Sequence, residues 1–105
     1  MPQPTLLFVK APADKDVLGV NWTDYLKGAG IAQSTWAITN EAGGASDGQL
    51  TTDNPVVAGG MATARVLAGT IDVNYRLVNH MTTNESPPRE KDAVILVAVR
   101  LNGVL

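Results

Sequence analysis

No apolar run in this 105-residue chain is longer than the seven residues Ala93 to Val99 of "DAVILVAVRL". That is the length of a strand and far short of the ~20 residues a membrane-spanning helix needs. Clusters of Gly, Pro, Asn and Asp separate this run from the other short apolar segments, which is the punctuation of an all-β sandwich or barrel. The length predicts one domain over 1–105, with residues 1–10 either an N-terminal arm or an edge strand. Apolar residues make up 45% and aromatic residues 5%, so the core must be mainly aliphatic.

Seven strands and one helical turn follow from the segment pattern. "TLLFVK" (5–10) is a first strand, closed by "APADKD", and "VLGV" (17–20) a short second. In "NWTDYLKGAG", Trp22, Tyr25 and Leu26 fall at i, i+3 and i+4, one face of a helical turn. Asn21 can cap it, and Gly28 or Gly30 can supply a left-handed exit. "IAQSTWAIT" (31–39) alternates, with Trp36 and Ile38 directed at the core. "NEAGGASDGQ" is a loop, "LTTDNP" a lead-in, and Pro55 to Ala58 a weak strand.

In "ATARVLAG" (62–69), Ala64, Val66 and Ala68 share a face. In "TIDVNYRLVNHMTT" (70–83), Val73, Tyr75, Leu77 and Met81 oppose Asn74, Arg76, Val78 and His80. The loop "NESPPREK" precedes the last strand, 92–101. That strand is apolar on both faces, Ile95, Val97 and Val99 on one and Val94, Leu96 and Ala98 on the other. A half-exposed antiparallel strand would alternate instead. Either the chain's own N-terminal strand, its 17–26 segment or a long loop covers the second face, or a neighbouring subunit does.

Eight basic and ten acidic side chains leave a net charge of -2, too little to gather nucleic acid or anionic lipid, so neither is an expected partner. "MPQPTLLFVK" lacks the basic region and long apolar core of an export signal. There is no cysteine, hence no thiol nucleophile and no thiolate metal site. His80 is the one histidine, and Ser34, Ser46 and Ser86 are in no nucleophile-elbow context. His80 therefore reads as a strand-face or interface residue, and no enzyme activity is expected.

The acidic loops "DKD" and "SDGQLTTDN" lack the glycine and glutamate positions of an EF-hand, so no metal and no cofactor are expected either. Trp22, Tyr25, Trp36 and Tyr75 could form a stacking platform for sugar or nucleic acid, but core anchors are the stronger reading, since Trp36 and Tyr75 sit on the apolar faces of alternating strands. Asn79 has a polar role open to it but stands alone.

Trp36 on a middle strand and Tyr75 at the start of the next-to-last resemble an immunoglobulin-like antiparallel sandwich, with Leu77 where an antibody domain has its second cysteine. "WTDYL…GIAQSTWAI", "VAGGMATARVLAGTIDVNYRLVNHMTT" and "PPREKDAVILVAVR" further resemble small virion proteins of tailed phages. Trp22, Leu26, Ser34-Thr35-Trp36, Gly59-Gly60, Gly69-Thr70, Tyr75, Asn79 and Thr82-Thr83 carry that likeness.

The resemblance implies a non-enzymatic structural protein of the virion, assembled in the host cytoplasm. Its first expectation is a minor capsid or head-decoration protein bound to the major capsid protein or other virion proteins, as a homo-oligomer, with a trimer favoured. The alternatives are a head–tail joining or tail-completion protein and a host-carbohydrate module using Trp22 or Tyr25. Leu6, Leu7, Val94 and Leu96 are the candidate interface residues.

Overall fold

A computed structural model describes the backbone of residues 5–103 and side chains from Leu7 onward; Leu6 as a side chain, and residues 1–4, lie outside the described residues. Seven strands and one helical turn follow one another: β1 (Thr5–Lys10), β2 (Asp16–Asn21), α1 (Thr23–Leu26), β3 (Ile31–Asn40), β4 (Leu50–Ala58), β5 (Met61–Ala68), β6 (Asn74–Thr83) and β7 (Glu90–Val99). They form two sheets, ordered β1-β7-β6-β3 and β2-β5-β4. With β2, β5 and β4 in the places of strands B, E and D, and β3, β6 and β7 in those of C, F and G, the order is that of an immunoglobulin-type sandwich.

One pairing is not antiparallel as expected. β1 runs parallel to β7, from Thr5 opposite Val94 to Lys10 opposite Val99. The first strand thereby covers the edge that the last would otherwise leave open.

Alternation explains the strands that the sequence shows most clearly. In β6 the side chains of Tyr75, Leu77, Asn79 and Met81 are buried, while those between them are half-buried. Facing them across the sandwich, Ala62, Ala64 and Val66 of β5 are buried; Ala68 is exposed instead, because its backbone turns left-handed, φ 62°. The core has two parts. One is built on Leu50, Val66, Tyr75, Leu77, Ile95, Val97 and Val99, the other on Trp22, Leu26, Ala62 and Met81. Trp36 and Val20 pack against both and join them.

Three local expectations change. β4 spans nine residues from Leu50 rather than a few after Pro55, since a bulge between Asp53 and Val56, with Asn54 at φ 49°, lets the polar "LTTDN" stay in the ladder. β6 starts at Asn74, because Thr70 to Val73 form a turn closed by the Val73 N–H donating to the Thr70 carbonyl. The helical turn leaves through Lys27 in the left-handed region, not first through a glycine. Asn21 does accept the Thr23 N–H, 3.0 Å, at the start of that turn.

The loop end of the sandwich is tied by side chains. Tyr75 Oη accepts the Thr70 N–H at 2.9 Å, the bond of a tyrosine corner, and donates to the Asp47 carboxylate in the β3–β4 loop. Asp47 also accepts from the Gln49 N–H and the Thr70 hydroxyl, and these bonds hold its carboxyl below the usual range. Lys10 is fully buried at the end of β1, and its Nζ donates to the carbonyls of Ala11 and of Ala68 on the other sheet. Burial lowers its pKa, against the opposing charges of Asp14 and Asp16.

Candidate interaction surface

Register decides which residues of the four-stranded sheet look away from the core. Ile95, Val97 and Val99 face inward, so Val94, Leu96 and Ala98 face out, with Leu7 and Val9 of β1 beside Leu96 and Ala98. On β6, Val78 stands beside Val94, Arg76 beside Leu96 and His80 beside Asp92. On β3, Ala37 stands beside Val78 and Thr35 beside His80. The second sheet packs on the opposite face, and β1 lies beside β7 rather than over it.

The result is an apolar middle of Leu7, Leu96, Val94, Val78 and Ala37 within a charged border. Leu7 is 56% exposed, and Val94 and Leu96 are half-buried by one another and by their neighbours. Three of the four residues singled out from sequence thus share one surface, and Leu6 is outside the described side chains. Val78, Ala37 and Arg76 were missed. Each looks unremarkable in its own strand, and only the β3–β6–β7 register places them beside Val94 and Leu96.

His80 belongs to this border, held between two carboxylates. Its Nδ1 meets Asp92 and its Nε2 meets Glu90 at 2.8 Å, and two carboxylate partners call for the doubly protonated ring. The bond to Glu90, then that to Asp92, raises its pKa above the ordinary imidazole value. A pKa raised on folding gives stabilisation that is complete below the unfolded value and is lost as pH rises through the folded one. The Tm difference between the protein and His80→Gln is therefore expected to be largest under mildly acidic conditions and to vanish in alkali. The ring is exposed, so the effect should be small. A difference that stays constant across that range would show the two bonds to be absent in solution.

Beside this face, β2 and α1 border a cavity of about 430 Å³, lined by Val20, Trp22, Tyr25, Ala93 and Ile95 among others. Its aromatics are not free to stack on a sugar. Trp22 is 4% exposed and donates its Nε1–H to Asn79 Oδ1 at 2.9 Å. Tyr25 packs edge-on against Trp22, with the Arg89 guanidinium 4.8 Å and the Lys91 ammonium 5.3 Å from its ring centre. Arg89 further donates to the carbonyls of Tyr25 and Leu26 and pairs with Glu85. Trp22 is thus a core anchor, the stronger of its two readings from sequence, because the helical turn points it inward to a buried amide.

A second apolar strip lies on edge strand β4, where Pro55 to Ala58 are all exposed, Val56 to 52% and Val57 to 47%. Sequence reasoning passed over it as a weak strand. No curated protein matches this chain. Residues 10–98 match the family model Gp77, described as podophage GP4 fiber-tail adaptor protein gp77.

Proposed function

The chain belongs to the podophage GP4 fiber-tail adaptor protein gp77 family, and from that membership we propose that it is a joining module between fiber and tail, docking through the outer face of its four-stranded sheet. The family is one of structural virion proteins, so the chain is a virion component that binds other virion proteins. The match over residues 10–98 carries this reading and favours the tail-associated alternative over head decoration, the first expectation from sequence.

The fold supports an adaptor in two ways. A sandwich braced by the Tyr75–Asp47 and Trp22–Asn79 bonds is a rigid spacer. Its outer face gives a neighbour apolar side chains that water now covers, with Arg76, Glu90 and Asp92 at the rim to set orientation. The carbohydrate reading loses its support with the burial of Trp22.

Leu7→Glu tests the proposal, since Leu7 projects from the face and contributes little to the fold. The variant is expected to keep its Tm within a few degrees while its incorporation into fibered particles falls at least about tenfold, as for a charge placed in the apolar centre of an interface. Normal incorporation would remove this face from the joint.

A further inference from the structure

Charges on the outer face are sorted along the strands. Beyond Val94 toward the start of β7 stand Asp92 and Glu90, and beyond Leu96 toward its end stands Arg100, with Arg76 beside Leu96 on β6. His80 sits among the carboxylates, and Glu41 reaches the basic end by accepting from Asn74 Nδ2, so each end keeps its sign with one opposing group. Arg76 has no ion pair or hydrogen bond among the described residues. A surface with an apolar middle, an acidic end and a basic end is complementary to itself turned end for end.

We infer that this face receives a second copy of the same chain, sheet against sheet, about a two-fold axis lying across the strands between Val94 and Leu96. This rests on the reading of the face as a docking surface and names its occupant. The operation sets Val94 over Leu96 of the second copy and Leu96 over its Val94, the apolar side chains that water otherwise covers. It also carries Glu90, two outward positions before Val94, onto Arg100, two outward positions after Leu96. Turned the other way, about an axis along the strands, the operation would bring arginine to arginine and carboxylate to carboxylate. Two-fold pairing, rather than the trimer implied by resemblance, is what this charge order fits.

The size of the face sets the strength. Four strands about 4.8 Å apart, three of them about ten residues long and β1 six, at about 3.3 Å per residue, give a footprint of about 600 Å² per copy. The total of about 1,200 Å² lies at the lower limit of stable stand-alone complexes. The dimer is therefore weak in solution and held in the particle by its other contacts, where effective concentration is high.

Sedimentation velocity of the full chain, from micromolar to millimolar concentration, tests the inference. The protein should move from monomer toward dimer. Glu90→Lys and Arg100→Glu should each abolish the shift, and the double variant should restore it. Arg100 also donates to the Val99 carbonyl and to Asn74, so thermal unfolding is followed alongside, and Leu96→Lys is a third variant expected to abolish pairing. A monomer at millimolar concentration, a trimer or larger ring, or a dimer untouched by these changes would overturn it. Failure of the adaptor reading shows separately, as a chain absent from the tail joint whatever its state in solution.

Discussion

Asn79→Ala is expected to lower the unfolding free energy by about 3 kcal/mol, because it leaves a buried indole donor and a strand carbonyl without partners. Asn79 is fully buried on β6, its Oδ1 accepting from Trp22 and its Nδ2 donating to Ser34 Oγ at 2.8 Å and to the Thr35 carbonyl at 3.1 Å. One amide thus ties β6 to β3 in its own sheet and to the segment after β2 in the other. No other buried side-chain polar atom among the described residues lacks a partner, so the loss would stand alone. Urea denaturation measures the cost. Trp22→Phe in the Asn79→Ala background should add less than it does in the parent, since the indole N–H has then already lost its acceptor. A cost under about 1 kcal/mol for Asn79→Ala would mean that water satisfies Trp22.

Gly69→Ala is expected to destabilise by a similar amount, about 3 kcal/mol, from backbone strain and overpacking together. Gly69 has φ +104°, and a Cβ there would lie 2.7 Å from Val99 Cγ2 and 3.2 Å from Leu50 Cδ1, both in the core. It also directly precedes Thr70, whose N–H the tyrosine corner requires. Gly28 supplies the control, with φ +93° and nothing within 4 Å of an added Cβ. Gly28→Ala should therefore show the strain alone, and thermal unfolding of the two variants separates the terms. Equal losses would show that Val99 and Leu50 yield to the methyl group without cost.

Both residues lie in the pattern that made the sequence resemble a phage virion protein, yet their roles could not be read from it. Alternation is local, so the faces of β3, β5 and β6 were visible in "IAQSTWAIT", "ATARVL" and "NYRLVNHM". Asn79 bonds a residue 57 positions away, and a window of ten cannot contain both ends. Trp22 was left with two readings, core anchor and sugar platform, for the same reason. Its i, i+3, i+4 spacing marked one face of a turn, but only the second sheet fixes which way that face points. β4 was hidden by Thr, Asp and Asn, residues that favour turns unless a ladder holds them.

The candidate surface was legible in part. The doubly apolar run of β7 announced a second face to cover, and Leu7 was named together with Leu6 as part of the N-terminal arm, with no choice between the two faces of β1. Val78, Ala37 and Arg76 needed the register of three strands, which turn lengths alone do not determine.

Cryo-EM of the fibered particle tests the central claim most directly. The account predicts this chain at the joint between fiber and tail, with Leu7, Val78, Val94 and Leu96 buried against protein. Density for the chain on the head lattice, or at the joint with that sheet face open to solvent, would contradict it.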